Sequence, residues 1–168
     1  MYINRIGENI IFESEEKNDF LFIHLAGITN PNPKYYIRQN VNRHQLYNKY
    51  VLEYVIDGKG YIEFDDKKTL VSKGDLYFLN KLFRHIYYAD KNEPFKKIFI
   101  VVSGKFVDSL VESYDIKESV LVVKKDSYLI FEEIHKLLCE DKINYNKVAH
   151  QILNLFQNLK EINWDLSK

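Results

Sequence analysis

Tyr50-Val51-Leu52-Glu53-Tyr54-Val55-Ile56-Asp57-Gly58-Lys59-Gly60-Tyr61-Ile62-Glu63-Phe64, followed by Lys73-Gly74-Asp75-Leu76 and Arg84-His85-Ile86-Tyr87, is the stretch on which the fold turns. Tyr50 to Ile56 is a strand-length run rich in β-branched and aromatic residues. Asp57-Gly58-Lys59-Gly60 supplies a turn and Tyr61 to Phe64 returns, which predicts a hairpin. Asp65-Asp66-Lys67-Lys68 is the next turn, and Thr69 to Val71, Leu76 to Leu79 and Ile86 to Tyr88 read as further short strands. Gly58, Gly60 and Gly74 have turn roles, and Asp75 is expected to hold its own turn through the backbone. Phe95 to Val102 is the most apolar strand and stops at Gly104. Short strands with turns about every ten residues point to a β-sandwich or barrel.

Towards the N-terminus, residues 1–19 are polar and mixed and are expected to be an arm or a first short strand. Phe20 to Gly27 reads as a strand. Thr29-Asn30-Pro31-Asn32-Pro33 must be irregular, because each proline lacks a donor and fixes φ. Tyr35 to Arg38 is a short strand, and Val41 to Lys49 a polar loop.

Past Gly104 the apolar period changes. Phe106, Val107, Leu110, Val111 and Tyr114 share one face of a short helix over 105–115. Val120 to Val123 reads as a strand that closes the barrel, which would span 20–124. Asp126 is placed to cap a helix carrying Ile130, Phe131, Ile134, Leu137 and Leu138. In the last helix Val148, Ile152, Leu155, Leu159 and Ile162 follow a heptad seam, with Tyr145, Ala149, Leu153 and Phe156 as a second row beside it. Together the rows cover about half the helix circumference, more than one core contact needs. One row is therefore expected to meet a partner, the alternative being a helix sunk in a groove of its own domain.

The composition sets the class. In 168 residues, apolar side chains make up 46% and charged ones 29%, as in a globular domain large enough to bury a core. Lys plus Arg and Asp plus Glu are equal at 24 each, so the basic excess of a duplex-binding domain is missing. One cysteine, Cys139, excludes an intrachain disulfide. No apolar run has the length of a signal sequence or a membrane span, and the expected location is the cytoplasm. The 13 Tyr and 11 Phe favour β structure and can line a pocket.

The order Leu25-Ala26-Gly27-Ile28-Thr29, Tyr35-Tyr36-Ile37-Arg38, Leu52 to Gly60, Lys73-Gly74-Asp75-Leu76, Arg84-His85-Ile86-Tyr87 and Pro94-Phe95 resembles the N-terminal sensing domain of AraC-type bacterial transcription regulators. The likeness covers about residues 20–160. It implies a mainly β fold, a cupin-like jelly-roll barrel followed by dimerisation helices over 125–163. It further implies a small effector, a sugar or related polar metabolite, held inside the barrel. Partners would be a second copy, joined through Val148, Ile152, Leu155, Leu159 and Ile162, and DNA, reached only through a C-terminal helix-turn-helix domain that is absent from this sequence. Neither a cofactor nor a membrane partner is implied.

Carried over position by position, Thr29 matches a ligand-contacting threonine and Tyr87 a pocket tyrosine. Arg38 lies near a ligand-binding arginine, although a shift of one residue would turn it to the other face. Lys97 and Phe99 stand where arabinose-binding members carry a histidine and a stacking tryptophan, which speaks against arabinose itself. His85 is assigned to the pocket rim or to a structural role. Strand alternation agrees in part: Phe95, Lys97, Phe99 and Val101 share one face, while Lys96, Ile98, Ile100 and Val102, nearly all aliphatic, face the other way, towards helices. Lys97 then points inward, where its charge needs a partner. A polar or acidic ligand is one candidate and water at the barrel rim another.

A metal-dependent cupin enzyme is the competing class. Such a centre needs a His-x-His pair, a nearby Glu and a later His. His24, His44, His85, His135 and His150 contain no His-x-His, and Glu53 and Glu63 lie on separate strands. No nucleophile motif or phosphate loop is present either. No catalytic or metal residues are assigned, and a barrel that only dimerises is the third possibility.

Overall fold

The structure, a computed structural model, describes residues 7–14, 16–38, 49–81 and 83–161. Ten strands and three helices run along them: β1 (Glu8–Glu13), β2 (Phe22–Thr29), β3 (Tyr36–Arg38), β4 (Tyr50–Asp57), β5 (Lys59–Phe64), β6 (Lys67–Ser72), β7 (Asp75–Leu79), β8 (Ile86–Ala89), β9 (Lys96–Ser103), α1 (Lys105–Ser113), β10 (Val120–Lys124), α2 (Tyr128–Leu138) and α3 (Tyr145–Leu159). They form a six-stranded sheet, β1-β2-β9-β4-β7-β10, and a four-stranded sheet, β3-β8-β5-β6. From β2 onward the chain crosses between the sheets at almost every turn, a jelly-roll order. The strands do not close into one continuous barrel; they make two facing sheets.

The expected hairpin at Gly58 is corrected by this order. β4 pairs with β7 and β9, whereas β5 pairs with β6 and β8, so Gly58 is a corner between sheets. Its φ is +71°, and a Cβ there would stand 2.4 Å from the Pro94 carbonyl oxygen. A corner and a hairpin ask for the same residue type, so the turn chemistry was legible and the partner was not. The true hairpin is one turn later. Asp65 and Asp66, with φ of 48° and 61°, make a two-residue loop between Phe64 and Lys67, the positive φ values that suit the twist of the flanking strands. Residues 8–13 of the expected arm form β1, which pairs with β2 and extends the larger sheet.

Two apolar layers result. Ile98, Ile100 and Val102 point away from the smaller sheet, towards Phe131, Ile134, Val148, Ile152 and Phe156 of α2 and α3. Val51, Val55, Ile62, Val71 and Phe95 pack on the inner faces of the two sheets. Asn144 caps α3 by accepting from Lys147 N at 3.2 Å. At α2 the cap residue is Ser127, one beyond the expected Asp126, whose Oδ1 still accepts from Tyr128 N.

The seam assigned to a partner subunit is corrected as well. Val148, Ile152, Leu155 and Leu159 are 0–3% exposed because α3 spends that row on its own domain. Ile162 lies outside the described residues. The second row is the more open: Tyr145 is exposed, Ala149 and Leu153 are half-buried, and Phe156 is buried. Among the described residues no helix is long and apolar enough to cross a membrane.

Candidate functional site

The alternation of β9 that sends Ile98 and Ile100 to the helices sends Lys97 between the sheets, where it is 0% exposed. On β4, one strand over, the same alternation points Glu53 inward between Val51 and Val55, and β7 adds Tyr77 opposite Glu53. Lys97 Nζ donates to Glu53 Oε2 at 2.5 Å, to the Tyr35 hydroxyl at 3.2 Å and to the Tyr77 hydroxyl at 3.3 Å. Tyr77 in turn donates to Glu53, and Tyr35 to Glu8 Oε1 on β1 at 2.9 Å. The ammonium also lies 4.6 Å from the Tyr35 ring centre, 4.7 Å from that of Phe95 and 4.9 Å from that of Tyr87, a favourable setting for a cation.

Lys97 points inward as the alternation predicts, and a partner for its charge lies within the chain. It needs no rim water, and its counter-charge is Glu53, a carboxylate of the chain itself. Burial pushes the Glu53 carboxyl above its ordinary range, and the Lys97 charge opposes that shift. Burial likewise raises the Tyr35 hydroxyl, as do Tyr87, Glu53 and Glu8 nearby, so it stays protonated and able to donate.

Thr29 is the cross-strand partner of Lys97. It is 0% exposed, and among the described residues its Oγ1 is the one buried side-chain N or O atom with no hydrogen-bond partner. A buried hydroxyl is costly to leave unpaired, so Thr29 Oγ1 is open to a hydrogen bond from water or from a bound molecule. Phe99, 2% exposed, lies on the same face, opposite Gly27 on β2 and Glu53 on β4. A Cβ on Gly27 would stand 3.0 Å from the Phe99 ring, so glycine makes room for it.

The structure thus brings Thr29, Tyr87, Lys97 and Phe99 to one inner face and leaves out two other assigned residues. Arg38 is corrected: Ile37 pairs with Tyr87 and both point inward, so Arg38, one residue on, is exposed on the outer face of the smaller sheet. His85 is also elsewhere. It packs against Phe64 and Phe83 and donates from Nε2 to the Ser119 carbonyl at 3.0 Å, beside the Leu79–Val120 end of the sheet. Glu53, Tyr35 and Glu8 were missed as members of the site. An acidic residue within the apolar run Tyr50 to Ile56 was the available signal for Glu53.

Burial lowers three histidines: His24 to about 3, where Lys49 adds to the effect, His85 to about 4, and His135 in the same direction. Each stays neutral in the fold where the unfolded chain would bind a proton. Stability is therefore full above pH 6.5 and is lost progressively as pH falls from there towards the folded values, about 4 and then 3. Thermal midpoints measured from pH 8 to pH 4 are expected to fall below pH 6.5, and His85→Asn should flatten that slope. Among the described residues no cluster of three or more His, Cys, Asp or Glu is arranged to hold a metal ion.

Residues 23–165 match the AraC-like ligand binding domain family. The chain belongs to that family. Solved structures agree on the fold. Apo ToxT from Vibrio cholerae superposes with a TM-score of 0.56 at 15% identity, over 90% of this chain and 62% of that one. ToxT from Vibrio cholerae O395 bound to (E)-4-(8-methylnaphthalen-1-yl)but-3-enoic acid gives 0.51 at 13% identity, over 74% and 51%. YhaK from Escherichia coli gives 0.50 at 9% identity, over 71% and 52%. This AraC-like chain therefore spans less than two thirds of the length of each. No curated protein matches it in sequence.

Proposed function

We propose that this AraC-like domain senses a small polar metabolite of the sugar class, bound between its two sheets, and that binding governs DNA recognition by another part of a transcription regulator. The carrying observation is the polar cluster inside an otherwise apolar sandwich, with the Thr29 hydroxyl buried and unpaired beside Lys97. Phe99 and Tyr87 supply ring faces and Thr29 supplies the hydrogen bond that a hydroxylated ring requires. A ligand that contacts Tyr35 also reaches Glu8 on β1 through one hydrogen bond, so its presence can bias the position of the N-terminal strand. Homodimerisation is part of the reading, through the open row Tyr145, Ala149 and Leu153 of α3.

Thermal unfolding against a panel of sugars, sugar acids and divalent metals tests this. A ligand at a hundred times its Kd adds about 2.7 kcal/mol, and the midpoint should rise by several degrees with one sugar class. A rise with a metal alone would favour metal-dependent cupin chemistry and overturn the sensor.

A further inference from the structure

We propose that Glu53 sets the ligand class of the interior: by occupying Lys97 it reserves the space for uncharged, hydroxyl-bearing molecules and turns carboxylates away. The inference rests on the effector-binding reading above and narrows it. A lysine ammonium has three protons to donate, and Lys97 has an acceptor for each within the protein: Glu53, Tyr35 and Tyr77. No proton is left for an incoming anion.

Charge points the same way. Glu53 is bonded directly to Lys97 and neutralises the ammonium, and a second carboxylate, Glu8, lies one hydrogen bond away beyond the Tyr35 hydroxyl. A ligand carboxylate would add a third negative charge in a space where Lys97 and Glu53 are almost fully buried. To reach Lys97 it would have to displace a tyrosine hydroxyl and crowd a second carboxylate against Glu53, or strip away Glu53 and leave that group buried without its cation. The group left wanting a partner is instead neutral, the Thr29 hydroxyl, which donates to or accepts from an alcohol equally well. The inner face therefore offers hydrogen bonds to a hydroxyl and none of its positive charge to an acid.

Removing Glu53 should reverse the preference. Glu53→Ala frees Lys97 and opens room for a carboxylate about the size of acetate. Midpoints of the wild type and the variant are measured at neutral pH in sodium acetate and in sodium chloride of equal ionic strength. The wild type should be indifferent to the exchange, and the variant should gain several degrees in acetate, saturating with concentration. If the variant is unfolded in chloride, folding regained in acetate is the same result. Lys97→Met added to Glu53→Ala should abolish the response.

An equal gain by the wild type would overturn the proposal. So would a variant that acetate neither stabilises nor refolds, or a response that survives the loss of Lys97. These arms use no effector, so their failure leaves effector binding to be judged by the ligand panel. Conversely, a wild-type shift with galacturonate and none with galactose would overturn the neutral class while leaving the sensor reading in place.

Discussion

Lys97→Met is expected to lower stability by about 3–5 kcal/mol, the usual cost of leaving one member of a buried ion pair without the other. For a domain of this size that is a fall in Tm of about 10 °C. Methionine keeps the length and apolar stem of lysine, so little of the loss comes from packing. It comes from Glu53, which is 2% exposed and would keep, among the described residues, the Tyr77 hydroxyl to offset its burial. The loss should depend on pH with a definite sign. Without Lys97 the Glu53 pKa rises further above its unfolded value. Between the two values the folded state then holds a proton that the unfolded state has released, and stability falls as pH rises. Acidification from neutrality towards about 4.5 should therefore recover part of what the variant loses at pH 7. Glu53→Gln combined with Lys97→Met should recover much of it at every pH, because no buried charge remains. Denaturant titrations of the two single variants and the double give the coupling directly; a coupling near zero would show that the pair does not act as a unit.

Leu155→Asp should leave no folded domain. Leu155 is 0% exposed within the cluster that joins α3 to the outer face of the six-stranded sheet. Truncation to alanine alone costs about 2–5 kcal/mol at such a site, and an unpaired buried carboxylate adds to it. Leu153→Glu, two residues away on the half-buried row, should fold and show its effect in assembly instead. Circular dichroism with sedimentation velocity separates the two. A folded, monomeric Leu155→Asp would return the heptad seam to the subunit interface. A folded Leu153→Glu that still dimerises would remove the second row from it.

The contrast between Leu155 and Leu153 shows what sequence periodicity can resolve. Spacings of three and four place residues on a common face, and both rows of α3 were legible. Which row meets the domain depends on how α3 rolls against α2 and the sheet, a long-range fact that leaves no trace in the spacing. The strand faces were clearer. In β9 one face is aliphatic after Lys96 at its start, and that assigned Ile98, Ile100 and Val102 to the helices and Lys97 to the interior.

The partner of Lys97 was not legible, because Glu53 is 44 residues away and reaches it only when β9 lies beside β4. Arg38 failed for a related reason. β3 is three residues long, too short for alternation to reveal its inward side. The corner at Gly58 shares its turn chemistry with a hairpin. The family likeness had already indicated the jelly-roll order, and it is this order that separates β4 from β5.

The same order governs how the domain is made. Among the described strands only β1–β2 and β5–β6 join neighbours in sequence; the other ladders wait for distant partners. β9 fills the gap between β2 and β4, so the larger sheet stays divided until about residue 103 has left the ribosome. Until then the inner edges of β2 and β4 stand open as sticky seams, the condition under which nascent chains are most prone to aggregate. When β9 docks it closes both seams in one late event and carries Lys97 to Glu53 as it does so. Closing loops of that length makes assembly slow, and the ion pair marks the docking of β9 on β4, before α1, β10, α2 and α3 complete the domain.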